Sequence, residues 1–171
     1  ARATQRGREL ALRKIDKHTW QCAPARGPVT VTLEVYANDL SVRGAFLDTT
    51  RAFFNGTSVF LRVEGHESSV CLVDLRAPRG RAYRRWRVAT TLPRAEAPAY
   101  GFGGYRAADY DELIDHPVEL GTFALATFRA HGVPHDIAIT GRQDADLDRL
   151  CRDLKRLCET QIDLFGRPAP M

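Results

Sequence analysis

The sequence has 171 residues, of which 44% are hydrophobic, and its formal net charge is +4. This length and apolar content predict a globular protein with a sizeable core and exclude a disordered chain. The sequence has no apolar run of about eighteen residues, which excludes a membrane-spanning helix, and its first residues lack the apolar centre of a secretory leader. The four cysteines do not suggest a disulfide-stapled secreted scaffold, so the expected compartment is the cytoplasm.

The first hundred residues predict β-strands. Strands are predicted at residues 10–15, 17–22, 29–36, 41–47, 58–64, 70–75 and 86–92. The clearest is residues 29–36, where apolar residues such as Val29 and Val31 alternate with polar ones, a period that predicts an antiparallel strand with one buried face. Phe53 and Phe54 are expected in an irregular connection. Several strands separated by Gly, Pro and Asn turns favour an antiparallel β-sandwich.

The next stretch predicts a short helix and a β-hairpin. After a loop at residues 93–104, which is rich in Pro, Ala and Gly, residues 107–114 are expected to form one or two helical turns. Residues 118–130 predict one long strand, residues 131–134 a turn, and residues 136–140 the returning strand.

The last element is the most clearly patterned. Apolar residues recur at three- and four-residue steps between residues 145 and 165, at Leu147, Leu150, Cys151, Leu154, Leu157, Cys158, Ile162 and Phe165. This spacing predicts an amphipathic helix, which Asp144 or Asp146 can cap and which Gly166 and Pro168 end. Because the apolar stripe must cover another apolar surface, Leu154→Ala is expected to destabilise the protein by about 2–5 kcal/mol.

Charge divides the sequence in two. Residues 1–108 contain 18 basic and 9 acidic residues, whereas residues 109–171 contain 7 basic and 12 acidic ones. We therefore predict a β-sandwich domain at residues 1–104 and the beginning of a second, α+β domain at residues 105–171. The predicted fold class is mainly β, or α+β: an antiparallel sandwich followed by a β-hairpin and one long amphipathic helix.

No motif in the sequence completes a catalytic or metal site. His66 and Glu67 begin a zinc-protease pattern that lacks its second histidine. His131 and His135 have ligand spacing, but Gly132 and Pro134 between them predict a turn. Asp144, Asp146 and Asp148 are interpreted as a helix start rather than a calcium loop, and Cys71, inside an apolar strand, as a core residue rather than a nucleophile. Five arginines between residues 79 and 87 indicate a charged hairpin edge rather than a nucleic-acid surface.

Several strings of the sequence together resemble one family. They are KIDKHTW at residues 14–20, YANDLSVR at 36–43, FFNGTS at 53–58, FLRVEG at 60–65, WRVAT at 86–90, ADYDELIDHPVELG at 108–121, GVPH at 132–135 and LFG at 164–166. Their order and combination resemble the glycyl aminopeptidase family of zinc metallopeptidases over essentially the whole chain.

The resemblance implies an N-terminal β-domain, here without its first strands, followed by the first elements of a thermolysin-like catalytic domain. A PDZ-like domain is common in that family. The family's zinc motif, His-Glu-x-x-His with a further glutamate, would lie beyond Met171. The chain itself is therefore expected to carry no catalytic residue, zinc ligand or bound cofactor, although the whole protein would use Zn²⁺.

The implied function is removal of N-terminal glycine or another small residue from peptides by the whole enzyme, with this portion non-catalytic. Expected partners are the peptide substrate and the rest of the catalytic domain, without nucleic acid or membrane; the oligomeric state stays open. Asp111, Asp115 and His116 are the candidates for lining the substrate cleft, because ionisable groups crowd there at the predicted domain junction. The alternative is a stand-alone β-sandwich module that binds proteins or peptides at a sheet edge.

Overall fold

A computed structural model describes residues 1–166. Its strands are β1 (Arg2–Gln5), β2 (Arg8–Leu10), β3 (Leu12–Lys14), β4 (Trp20–Cys22), β5 (Thr30–Thr32), β6 (Ala45–Leu47), β7 (Arg51–Phe54), β8 (Cys71–Leu75), β9 (Arg87–Ala89), β10 (Gly103–Ala107), β11 (Val118–Gly121), β12 (Phe123–Ala130) and β13 (Val133–Thr140). Its helices are α1 (Tyr110–Asp115) and α2 (Leu147–Phe165), and short 3₁₀ turns occupy Gly56–Ser58 and Arg81–Tyr83. The chain divides into two compact units, Ala1–Tyr36 and the part from Ala37 onward.

The first unit contains two small antiparallel sheets. β1 pairs with β2 on one side and with β5 on the other, while β3 and β4 form a hairpin. The strands predicted at residues 10–15 and 17–22 are confirmed in shorter form. The prediction for residues 29–36 is wrong in length and burial, because β1 pairs with three residues of that stretch, and Val29, Val31 and Val35 are 37–44% exposed.

The second unit holds the main core. A four-stranded antiparallel sheet has the order β6-β7-β11-β9, and β10 pairs with β8 beside it. Their apolar side chains meet in one buried cluster, formed by Val73, Val88, Leu92, Ala97, Tyr105, Ala107, Leu113 and Val118. The core thus draws on strands from both sheets and on α1, so α1 is held in the body of this unit.

Two predictions in this unit are wrong, one because of strand pairing and one at a local turn. Phe53 and Phe54 lie in strand β7, paired with β6 and β11. Residues 58–64 do not form a strand. The Asn55 side chain accepts hydrogen bonds from the backbone N–H and hydroxyl of Thr57 and starts the 3₁₀ turn at Gly56–Ser58, and the N–H groups of Val59 and Phe60 donate to the Gly56 carbonyl oxygen. An asparagine at a helix N-cap therefore outweighs the alternating apolar pattern at the start of this stretch.

The predicted strand at residues 118–130 is two strands in different sheets. β11 lies inside the four-stranded sheet, whereas β12 pairs with β13 in a two-stranded sheet. At the end of β11, Gly121 has a φ of +150°, and a Cβ at this position would lie 3.3 Å from both the Cβ of Arg51 and the carbonyl oxygen of Thr50. A glycine is needed here because the chain changes direction in close contact with β7.

Helix α2 forms as predicted and packs on β12. Asp146 is its N-cap, with a carboxylate oxygen 2.9 Å from the Arg149 N–H, and Gly166 ends it with a φ of +96°. Ile162 is buried, but Leu157 is 51% and Phe165 82% exposed, so the predicted stripe is covered along part of its width. The expected role of Pro168 lies outside the described residues.

Antiparallel sheets followed by a hairpin and one long helix confirm the predicted fold class. The predicted domain boundary at residues 104–105 falls inside strand β10, which pairs with β8 over its whole length. The division into two domains stays a prediction. Across residues 1–166, no helix combines the length and apolar character that crossing a bilayer requires.

Candidate functional site

The three residues predicted to line a cleft lie on and directly after α1. Asp109 caps this helix, with a carboxylate oxygen 2.8 Å from the Glu112 N–H, and Glu112 in turn accepts a hydrogen bond from the Ala108 N–H. Asp111 and Asp115 are one helical turn apart and both are exposed. The local sequence thus caps the Glu112 N–H in the first helical turn and presents two carboxylates to solvent.

Contacts on three sides fix the position of α1. Leu113 is 5% exposed in the core, and the Tyr110 N–H donates to the carbonyl oxygen of Glu67 over 2.9 Å. Gly56 lies so close that a Cβ there would be 2.7 Å from the Ile114 Cα. The helix cannot shift towards the 3₁₀ turn at Gly56–Ser58, so the outward direction of Asp111 and Asp115 is set by packing.

His116 is tied to the end of the sheet rather than left free. Its Nδ1 and the Thr91 hydroxyl share a hydrogen bond of 2.6 Å, and His116 is half-buried. Thr91 follows strand β9 by two residues and had no signal in the sequence that would single it out. The structure therefore brings one of the three predicted residues into a defined contact and leaves the two aspartates exposed beside it.

A second polar cluster joins hairpin β12–β13 to the main sheet, and the sequence did not indicate it. The Tyr100 hydroxyl donates to Asp136 Oδ2, and the Thr127 hydroxyl donates to Asp136 Oδ1 over 2.7 Å. The Tyr100 ring stands edge-on to Phe123, with centroids 6.2 Å apart. Arg87 lies over the Phe123 ring at 4.1 Å and donates to the Phe123 carbonyl oxygen. These residues come from β9, β12, β13 and the segment between β9 and β10, all in the second unit.

The electrostatics of this cluster favour an ionised aspartate and a neutral tyrosine. The hydrogen bond from Tyr100 and the one from Thr127 lower the pKa of Asp136. Burial, and then the hydrogen bond to Asp136, raise the pKa of Tyr100 to about 12. The pair can hold a proton on the tyrosine at neutral pH but offers no group with a pKa suited to general acid–base catalysis.

Tyr100 is also in a strained backbone conformation. Its φ is +55°, and it is the third residue of a turn closed by a 3.0 Å hydrogen bond from the Gly101 N–H to the Pro98 carbonyl oxygen. Such a position usually holds glycine or asparagine, and the left-handed region costs other residues roughly 1–2 kcal/mol. The turn keeps a residue whose side chain makes the contact to Asp136 despite this cost.

The histidines that suggested metal binding have structural roles. The His131 Nε2 lies 3.0 Å from Asp163 Oδ1 on α2, while His135 stacks on Phe128 with ring centroids 5.0 Å apart. The two imidazoles are thus engaged with different neighbours. Within residues 1–166, no group of three His, Cys, Asp or Glu side chains is arranged to hold a metal ion.

The other residues that the sequence suggested for ligand binding or catalysis also have structural positions. Asp146 caps α2, whereas Asp144 precedes the helix and Asp148 lies in its first turn. Cys71 is half-buried in β8, and burial, with a smaller effect of Asp109, raises the pKa of its thiol, which disfavours a nucleophilic thiolate. The arginines at residues 79–85 are exposed around the 3₁₀ turn at Arg81–Tyr83.

Comparisons with known proteins identify the family. Residues 1–122 match the peptidase M61 N-terminal domain. The chain belongs to this metallopeptidase-related family. The matched region includes α1, His116 and Thr91 and ends just before hairpin β12–β13.

A solved structure extends the likeness through the hairpin and α2. The crystal structure of an aminopeptidase N family protein from Idiomarina loihiensis matches 99% of this chain with 43% sequence identity and a TM-score of 0.93. This chain spans 28% of the length of that protein. None of the curated proteins compared with the chain matched it.

Proposed function

We propose that this chain is the non-catalytic N-terminal portion of a zinc-dependent aminopeptidase that removes glycine or another small residue from the amino end of peptides. The observation that carries the proposal is the 43% identity to an aminopeptidase N family protein over 99% of this chain. The match of residues 1–122 to the peptidase M61 N-terminal domain supports the peptidase class independently. Glycyl specificity rests on the order and combination of the eight strings between residues 14 and 166 that resemble the glycyl aminopeptidase family.

The described residues do not fit a zinc site, since no three suitable ligands converge among them. Under the proposal, the metal ligands and the catalytic base belong to polypeptide outside this chain, and we assign no chemical step to residues 1–166. What this portion supplies is a supporting surface. The packing of α1 against Gly56 and the bond between His116 and Thr91 hold that surface in a fixed arrangement.

The proposed contribution to the substrate cleft comes from Asp111, Asp115 and His116. An aminopeptidase must bind a free ammonium group, for which exposed carboxylates one helical turn apart are suitable partners. The two aspartates are exposed, and the imidazole beside them is held by Thr91. The arrangement supports peptide binding rather than bond cleavage.

The test is hydrolysis of a glycyl anilide by the complete peptidase and by this chain alone, each with and without a chelator. Chelator-sensitive turnover by the complete protein and none by this chain would support the proposal. Alanyl and leucyl anilides serve as matched substrates, because a small-residue preference requires the leucyl compound to be the slowest. Equal turnover of all three would refute the specificity and leave the peptidase class in place.

A further inference from the structure

The turn at residues 98–101 carries a side chain that its backbone disfavours. Tyr100 has a φ of +55°, where glycine would be free of strain, and its neighbours are Ala99 and Gly101. Its own carbonyl oxygen accepts a 3.0 Å hydrogen bond from the Val88 N–H, and the buried Tyr105 donates its hydroxyl to the Gly101 carbonyl oxygen over 2.5 Å. The turn is therefore fixed to β9 and β10 and presents the Tyr100 side chain from a rigid base.

Asp136, which accepts the hydrogen bond from Tyr100, lies in the middle of hairpin β12–β13. Asp136 is directly opposite Thr127 in the hairpin register, and both its oxygens accept hydrogen bonds, one from Thr127 and one from Tyr100. The hairpin forms a two-stranded sheet of its own. A contact from the turn at residues 98–101 thus joins this separate sheet to the strands of the core.

Apolar packing alone does not account for the pair. A phenylalanine at position 100 would keep the edge-on contact with Phe123, and an apolar residue at position 136 would avoid placing a charge there. Instead, the tyrosine hydroxyl meets an ionised carboxylate, which is among the stronger hydrogen bonds available to a side chain. Arg87 on β9 adds a second contact to the hairpin, since its guanidinium lies over the Phe123 ring and donates a hydrogen bond to the Phe123 carbonyl oxygen.

We propose that Tyr100 and Asp136 form a latch that fixes hairpin β12–β13 to the turn at residues 98–101 and so positions the hairpin for peptide hydrolysis in the whole peptidase. The second part of this inference rests on the proposed function, and Tyr100 and Asp136 are positioning residues in it. The latch itself concerns this chain alone and can be tested without any activity.

The first experiment is native-state hydrogen exchange on this chain. Tyr100→Phe removes the hydroxyl donor and Asp136→Asn removes the charge on its acceptor, so each should raise the opening equilibrium of the β12 and β13 amides about tenfold. The double variant should raise the equilibrium by less than the product of the two single effects, because both changes act on one hydrogen bond. Multiplied effects, or unchanged exchange in Tyr100→Phe, would overturn the latch.

Two control variants separate the side chain from the backbone and from general destabilisation. Tyr100→Gly relieves the strained φ and removes every side-chain contact, so the hairpin amides should exchange faster although the turn is relaxed. Tyr110→Phe removes a different hydroxyl contact, 3.3 Å from the Phe60 carbonyl oxygen, and should leave the hairpin amides unchanged. Slower hairpin exchange in Tyr100→Gly would mean that strain relief outweighs the contact, contrary to the proposal.

The second experiment tests the positioning role in the complete peptidase. Tyr100→Phe should lower kcat for a glycyl anilide several-fold with KM unchanged, at a temperature where its melting curve shows folded protein. Faster hairpin exchange with unchanged kcat would overturn the positioning role. If the wild-type complete protein does not hydrolyse the anilide, the proposed function fails, and the exchange data still decide the latch separately.

Discussion

His116 Nδ1 lies 2.6 Å from the Thr91 hydroxyl, which joins the end of α1 to the residues that follow β9. If α1 borders the substrate cleft, this bond sets the direction of the imidazole. We therefore expect His116→Ala to lower kcat/KM of the complete peptidase about tenfold. Thr91→Val should lower it less, because valine removes the hydrogen bond that orients the imidazole but does not remove the imidazole itself. Steady-state kinetics with a glycyl anilide measure both effects.

The matched control for that series is His18→Ala. His18 lies in a turn of the first unit, with a side chain that is 87% exposed, and its loss should leave kcat/KM unchanged. Asp111→Ala and Asp115→Ala belong in the same series, and each should raise KM if the carboxylates bind the substrate ammonium group. Wild-type kinetics in all four site variants would remove α1 from the cleft.

The Tyr100–Asp136 pair predicts how stability depends on pH at both extremes. The pKa of Asp136 is lower in the folded state than the ordinary 3.8, so its contribution is present above pH 3.8 and is lost as the pH falls below it. The pKa of Tyr100 is raised from 10.0 to about 12, so its contribution is present below pH 10 and is lost as the pH rises towards 12.

Urea unfolding of the wild type and of Tyr100→Phe across pH checks this directly. The difference in unfolding free energy between the two should be constant from pH 6 to about 9 and should shrink between pH 10 and 12. The same comparison with Asp136→Asn should shrink below about pH 4. A difference that stays constant up to pH 12 would show that the tyrosine hydroxyl does not carry the pairing.

Gly56→Ala should destabilise the protein by about 1–3 kcal/mol, because the added methyl group meets backbone atoms that cannot rotate away. The nearest are the Ile114 Cα at 2.7 Å and the Leu113 carbonyl oxygen at 3.2 Å. Gly132→Ala is the control, since open space surrounds that position and its φ of +84° leaves backbone strain alone, worth roughly 1–2 kcal/mol. Chemical unfolding that ranks Gly132→Ala as the more damaging change would contradict the packing of α1.

Leu154→Ala should destabilise the protein by about 2 kcal/mol, the lower end of the range for buried leucines, because Leu154 is half-buried in the covered part of the α2 stripe. Leu164→Ala is the matched control, since that side chain is 78% exposed and its removal should change the free energy of unfolding by less than about 0.5 kcal/mol. Equal effects in thermal unfolding would mean that α2 is docked differently.

Elements specified by neighbouring residues were predictable from the sequence. The period of α2 and its cap at Asp146 lie within one segment, and the helix forms where it was expected. The turn at Gly132 is also where it was expected, although β13 already begins at Val133 and includes Pro134, which the prediction placed in the turn. β1 and β2 were missed because they are short and their residues are mostly polar, so they show no alternating pattern.

Features that depend on distant residues were not predictable. The break at Gly121 requires the approach of Arg51, and the pairing of Tyr100 with Asp136 joins residues 36 positions apart. Val31 belongs to an alternating strand pattern and Leu157 to a helical stripe, and both patterns predict burial, yet both side chains are exposed. An apolar pattern shows which face can be buried, but burial also requires another surface that packs against that face. Likewise, the sequence singled out His116 but gave no signal for Thr91, which holds it.

The non-catalytic role of this chain is decided by glycyl anilide hydrolysis, measured for the complete peptidase and for this chain, each with and without a chelator. We expect chelator-sensitive turnover by the complete protein, slower turnover of the leucyl compound, and none by residues 1–171 alone. Turnover by this chain alone would contradict its non-catalytic role, and absence of turnover by the complete protein would contradict the aminopeptidase assignment.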